Sequence, residues 1–267
     1  MRFASFLDSA AGRIFCNGFL PETGGGQGRR ILILPPFAEE MNKSRHVLAA
    51  IAKRLAEAGH AVLMPDLYGT GDSEGDFGDA AIDLWRHDID VAIERLPGTA
   101  DVDLIGLRLG ALLAADAASR HKLRSLTLIH PVLDGRQQLT QMLRLRLAAG
   151  LMGDGAKETA AELRQRLAAG ECLEIAGYSL SRILAVGLES LSLADSPPVG
   201  VDALNWIECV IEDGRALMPA SLRVLDAWSN AGVAAVASTV TCDTFWATQE
   251  IARCPALDAR VAGLLAD

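Results

Sequence analysis

The chain predicts an α/β fold: a mostly parallel, doubly wound sheet with helices on both faces and a helical block inserted late. Three observations lead there. Short apolar runs alternate with amphipathic helical stretches through the first half of the sequence, and short loops marked by glycine and proline separate them. The alternation stops between about residues 134 and 198, where only helical patterns occur, and it resumes after Pro197-Pro198. Strands and helices that alternate over short connections wind right-handed and parallel.

In order, segments 13–20 and 30–34 read as strands joined by the glycine-rich turn Gly24-Gly25-Gly26-Gln27-Gly28. The charged stretch Glu39, Glu40, Asn42, Lys43 and Arg45 reads as a loop at the carboxyl edge of the sheet. Segment 47–58 has helical periodicity and stops at Gly59, a C-cap signal. A short strand at 60–64 ends at Pro65-Asp66, and an amphipathic helix at 80–96 ends at Pro97-Gly98. Segments 102–105 and 125–129 read as strands flanking a helix at 110–119. The inserted block offers helices at 138–151, 158–169 and 181–191 and no clear strand. Strand 206–211, helix 221–231, strand 233–240 and helix 245–253 complete the pattern. The expected organisation is a core of residues 1–133 and 199–267 carrying a cap of residues 134–198. No internal repeat and no low-complexity segment appears.

Composition narrows the function classes. The chain has 267 residues, half of them apolar, which is enough for one large core. A net charge of −9 disfavours nucleic acid or an anionic membrane as a partner for the whole surface. The N-terminal stretch Met1-Arg2-Phe3-Ala4-Ser5-Phe6-Leu7-Asp8 has no apolar core of the signal-peptide kind. No apolar run approaches the roughly 20 residues that span a bilayer. Five cysteines, an odd number without C-x-x-C pairs, read as buried thiols in a reducing cytoplasm. The expectation is a soluble cytoplasmic protein.

The most informative motif is Gly106-Leu107-Arg108-Leu109-Gly110. Strand, tight glycine turn and helix form the setting of a G-x-S-x-G nucleophile elbow. Here an arginine stands where the serine would be, and a guanidinium has no lone pair with which to attack a carbonyl.

These residues resemble the α/β-hydrolase superfamily over nearly the full length of the chain. The likeness is carried by Leu34-Pro35-Pro36-Phe37, by Asp66-Leu67-Tyr68-Gly69-Thr70-Gly71-Asp72-Ser73 and by the elbow. A narrower likeness is to the proteins named exosortase A system-associated hydrolase 2. It rests on residues 35–45, on Gly106-Leu107-Arg108-Leu109-Gly110-Ala111, on residues 130–136 and on Ala176-Gly177-Tyr178-Ser179-Leu180. That resemblance implies bacterial genes accompanying exopolysaccharide production and exosortase sorting, and the class hydrolase. It implies an α/β-hydrolase fold with the helical block as an inserted cap.

A hydrolase triad runs Ser, Asp or Glu, His along the chain. Arg108 occupies the first position. Asp213, following strand 206–211, occupies the second, with Glu208 and Glu212 beside it. The third slot follows strand 233–240 and reads Thr241-Cys242-Asp243-Thr244-Phe245-Trp246, while the last histidine of the chain is His130. An ordinary acyl-enzyme route is therefore not expected.

Two readings of Arg108 stand. In one, its fork and the N–H groups of Leu109 and of the Pro36-Phe37-Ala38 loop form a pocket for a carboxylate or phosphate. In the other, Arg108 is locked to Glu39, Glu40, Asp134 or Asp213 and holds the loops together. His130, after strand 125–129 and close to Asp134, is either a relocated base for water or the anchor of its His-Pro turn. Asp66 and Asp72 read as braces of their loop. Ser73 is the nearest substitute hydroxyl, and Cys242 reads as a structural thiol. Histidine spacing shows no H-x-x-x-H or H-E-x-x-H metal motif and glycine spacing no nucleotide fingerprint, so no metal and no cofactor is implied. Helix 138–151 carries Arg144 and Arg146 among many leucines, which suits core packing, an acyl pocket or pairing with a partner or second copy.

The expected function is thus threefold: a catalytically incomplete hydrolase binding a small anionic or acyl-bearing ligand through Phe37, Ala38, Glu39, Arg108, Leu109 and Asp134; an ester or thioester hydrolase or acyltransferase of non-standard mechanism; or a non-catalytic partner of export machinery.

Overall fold

The computed structural model describes residues 1–22, 28–151 and 158–265. The strands β1 (Arg2–Asp8), β2 (Arg13–Phe19), β3 (Arg30–Leu34), β4 (Ala61–Pro65), β5 (Val102–Leu107), β6 (Leu123–Ile129), β9 (Val201–Val210) and β10 (Val236–Thr241) form one sheet, in the order β1-β2-β4-β3-β5-β6-β9-β10. β2 runs antiparallel to both of its neighbours, and every other pairing is parallel. The mostly parallel α/β sheet is as expected.

Side-chain alternation along the strands feeds two cores. On one face Ile31 and Ile33 meet α1 (Ala38–Glu57) and α8 (Pro255–Leu264) through Val47, Ile51, Leu257 and Val261. On the other, Leu32 and Leu34 meet α2 (Ile82–Arg95), α3 (Leu109–Ala117) and α7 (Pro219–Asn230) through Trp85, Leu112 and Trp228. Strands buried on both faces read as continuous apolar runs, which is why β3 to β6 were visible in the sequence.

The insertion between β6 and β9 holds α4 (Gly135–Leu151), α5 (Ala160–Ala168), a hairpin of β7 (Leu173–Ile175) and β8 (Tyr178–Leu180), and α6 (Arg182–Glu189). Leu139, Leu143, Leu184 and Leu188 join the same apolar cluster as α2 and α3, so the insertion shares the core of the sheet. The indole N–H of Trp228 donates to the Leu193 carbonyl (2.6 Å) and ties its return to α7. Among the described residues no helix is long and apolar enough to cross a membrane.

Several sequence expectations are corrected. The charged stretch from Glu39 to Arg45 is not a loop but the first two turns of α1, where Glu39 and Glu40 sit favourably at the helix N-terminus. The inserted block, expected to hold no strand, contains the β7–β8 hairpin, too short to show a period. β9 begins at Val201, and its exposed second and third residues, Asp202 and Ala203, break the apolar run by which a strand is read. β1 is an edge strand with alternating exposure that composition alone did not reveal. Residues 245–253 form turns rather than a helix, with the Phe245 N–H bonded to the Asp243 carbonyl and the Ala247 N–H to that of Thr244. The last helix starts only at Pro255, whose ring suits a first helical position. Not all the cysteines are buried thiols: Cys242 and Cys254 form a disulfide and Cys172 is exposed, while Cys16 and Cys209 are buried. Most of the glycine-rich turn, residues 23–27, lies outside the described residues.

The fold brings α3 hard against the loop after β3. A Cβ on Gly110 would lie 2.2 Å from the Leu34 carbonyl oxygen and 2.5 Å from that of Pro35. Gly110→Ala is therefore expected to destabilise by about 2–3 kcal/mol through overpacking, despite alanine's better helix propensity. The midpoint of urea unfolding measures it.

Candidate functional site

The site forms at the carboxyl ends of β5 and β6, where ligands of open α/β sheets bind. Arg108 joins β5 to α3 with φ 56° and ψ −118°, a strained conformation for a side chain of its size. Its N–H donates to the Ile129 carbonyl (3.0 Å), and its own carbonyl accepts from the N–H of Val132 (3.1 Å). The elbow is thereby pinned to the end of β6. Leu109 opens α3, so its N–H has no acceptor within the helix.

The arginine side chain is enclosed and occupied. Its Nε donates to both Glu40 oxygens (3.3 Å each) and its Nη2 to Oε1 (3.1 Å). Nη1 reaches the His130 carbonyl (3.4 Å), and the guanidinium carbon lies 5.3 Å from the centre of the Trp246 ring. With side-chain exposures of 11% and 22%, Arg108 and Glu40 form a largely desolvated pair. Of the four partners expected for Arg108, Glu40 is the one found. Glu39 instead faces Lys43 (3.7 Å), and Asp134 accepts from the N–H of Arg136 (2.6 Å) at the start of α4. Asp213 is exposed beyond the end of β9. Its neighbour Glu208 is buried and accepts from the Met218 N–H (2.8 Å).

His130 also has a positive φ, 40°. Its N–H donates to the Ile207 carbonyl (2.7 Å), and its Nδ1 accepts from the Cys209 N–H (3.3 Å). Its ring packs on Trp246 at 4.6 Å between centroids. Burial, and secondly the positive charge of Arg108, push the imidazole down to about 4. At neutral pH it is an uncharged ring and a weak base. Burial likewise lifts the Cys209 thiol to about 12, so it carries no thiolate. Ser73 donates to the Asp66 carbonyl (2.5 Å) and accepts from the Phe15 N–H, while Asp66 pairs with Arg45 (2.6 Å) and accepts from the Asp72 N–H. Asp66 braces its loop, as expected; Asp72 takes part through its N–H, and Ser73, read as a substitute hydroxyl, is a further brace.

Beside the elbow lies a cavity of about 490 Å³, between the start of α1, the α4 face, the β7–β8 hairpin and the 245–247 turn. Phe37, Met142, Leu145, Ile175, Tyr178 and Trp246 give it an apolar lining. Among the described residues, positive φ at non-glycine positions occurs at Ala38, Arg108, His130 and Ala176. Ala38 and Ala176 line the cavity, and Arg108 and His130 contact its wall residue Trp246. Strain of this kind concentrates at functional sites.

The structure thus places Phe37, Ala38, Glu39 and Glu40 on the cavity, Arg108 and His130 against its wall residue Trp246, and Asp134 at the start of α4. Sequence reasoning missed Trp246, Gln138 and Tyr178 as site residues. Trp246 had a signal: it closes the segment 241–246 in which a triad histidine was sought and not found.

No protein-family model matches this sequence, and no curated protein sequence matches it. Its fold is that of the α/β hydrolases. Similar solved structures include Est1E from Butyrivibrio proteoclasticus with ferulic acid bound (TM-score 0.69, 17% identity, covering 98% of this chain and 97% of that one). A thioesterase domain from the curacin biosynthetic pathway is similar at TM-score 0.57 and 19% identity, with 100% and 98% covered. The proline iminopeptidase of Mycobacterium smegmatis is similar at TM-score 0.62 and 16% identity, with 98% and 97% covered.

Two predictions follow from the site's electrostatics. Glu40→Gln is expected to cost about 1–3 kcal/mol by leaving Arg108 half-paired, and the loss should shrink when Arg108→Met is added. A double-mutant cycle by chemical denaturation reads this coupling. His130 is depressed in the folded state, so the stability its burial permits is complete above pH 6.5 and is lost as pH falls towards about 4. His130→Asn keeps an acceptor and tolerates the positive φ. It should remove an acid-side destabilisation of the order of 3 kcal/mol, seen as a flatter profile of stability against pH.

Proposed function

We propose that this chain is a hydrolase-fold protein that holds an acyl-bearing ligand in the cavity beside its elbow and does not form an acyl-enzyme. One observation carries the reading. The residue at the nucleophile position is an arginine sealed by Glu40 and Trp246, next to an open apolar cavity of about 490 Å³, a size that suits a small ligand. An anion at Arg108 would have to displace Glu40 from three contacts, so the acyl alternative is favoured over the anionic one. Structures of like fold that are an esterase with ferulic acid bound and a thioesterase domain support acyl chemistry as the ligand class. The likeness of residues 35–45, 106–111 and 130–136 to exosortase A system-associated hydrolase 2 supports a role beside exopolysaccharide production and protein sorting.

A second reading, hydrolysis by a non-standard route, has on its side an uncharged imidazole on His130, a residue whose carbonyl meets Arg108. A panel of acyl esters and thioesters offered to the wild type and to Arg108→Ala, His130→Ala and Asp213→Ala separates the two. The proposal expects no turnover above background in any of them, together with saturable quenching of tryptophan fluorescence by acyl compounds that is lost in Trp246→Phe. Turnover that disappears in His130→Ala or Arg108→Ala would replace it with the second reading.

A further inference from the structure

The sheet ends at β10, and the outer edge of that strand is open. The Cys242 N–H bonds to the Val210 carbonyl of β9 (2.8 Å), which fixes the alternation along β10. A strand residue turns both of its main-chain groups to one side, and the next residue turns both to the other. Val236, Ser238 and Val240 therefore serve the ladder with β9, and Ala237, Thr239 and Thr241 face outward. Among the described residues, the outward N–H and C=O groups of Ala237, Thr239 and Thr241 have no main-chain partner. Arg260 of α8 donates to the Ser238 hydroxyl (3.3 Å), a contact that takes none of these groups. Ala237 and Thr241 are exposed, and Thr239 is half-buried.

An open edge invites a further strand, and proteins guard such edges with charge or proline. At the other end of the sheet, β1 starts at Arg2 and ends at Asp8. β10 has no such guard. Residues 231–242 hold no charged residue and no proline, in a chain of which 22% is charged. Two copies that meet at the same edge are related by a two-fold axis, so their strands run antiparallel. With the axis at Thr239, that residue faces its own counterpart, and Ala237 faces Thr241 of the partner subunit. Each pair then exchanges both of its main-chain bonds. No like charges meet in this register, and threonine opposite threonine is a favourable cross-strand pair. A foreign strand would be selected by complementary charge, which this edge does not offer. We propose that the chain forms a two-fold dimer through β10, centred on Thr239, which joins two eight-stranded sheets into one.

Sedimentation velocity of the full chain tests this at about 0.15 M salt, where repulsion between two molecules of net charge −9 is screened beyond about 8 Å. A concentration-dependent dimer is expected. Thr239→Pro removes the central N–H, a change an edge strand tolerates, and Thr239→Lys sets two ammonium groups opposite each other. Each is expected to raise the dimer dissociation constant at least about tenfold. In a Cys172→Ser background, Thr239→Cys is expected to cross-link to its own counterpart on oxidation, since paired Cα atoms about 5.5 Å apart suit a disulfide. Ala237→Cys should not, its counterpart lying about 13 Å away along the strand. A chain that stays monomeric at every concentration overturns the proposal. So does a dimer that tolerates Thr239→Lys, or one that cross-links through Ala237→Cys as readily as through Thr239→Cys.

Discussion

The contact between Arg108 and Glu40 organises this end of the molecule. From its positive-φ elbow the Arg108 side chain leads between α1 and the 245–247 turn. Without Glu40 the guanidinium would be a charge held in a mostly desolvated space, and without Arg108 the carboxylate would be one. The pair therefore fixes the start of α1, and with it the Phe37-Ala38 backbone, against the ends of β5 and β6. Trp246 closes the arrangement by lying on both Arg108 and His130. The cavity's inner wall is the outer surface of this cluster.

The same contacts explain why the imidazole stays uncharged. His130 is held by main-chain bonds at its N–H and Nδ1, beside a permanent positive charge and under an indole. Burial first, and the positive charge of Arg108 second, disfavour a second proton on the ring. The ring thus packs as an uncharged block against Trp246 with its Nδ1 already satisfied by the Cys209 N–H.

Much of the frame was legible because it is written in short spacings. The elbow glycines, the Asp66 to Ser73 loop and the apolar strands β3 to β6 each depend on residues within one element or turn. Glu40 stood among four named partners of Arg108, and only the three-dimensional path of α1 chose between them. Trp246 was hidden because apolar residues at 245–253 imitate a helical period, while the chain there makes turns around two buried anchors, Phe245 and Trp246. The cavity was illegible for a different reason. Its walls come from residues near 38, 142, 176 and 246, and no local pattern records that they meet. The pairing of Cys242 with Cys254 likewise depends on where α8 begins, a boundary the sequence did not reveal.

That disulfide has a bearing on the cavity that no contact list conveys. It closes a ring over a sequence separation of 12, and Trp246 and Ala247 lie within the ring. A covalent ring of this size removes about 3 kcal/mol worth of freedom from the opened chain, whatever its side chains touch. The wall formed by 243–253 is thus kept in shape partly by the poverty of its alternatives. A ligand arriving there meets a surface whose ordering cost was met when the chain was oxidised rather than at the moment of binding.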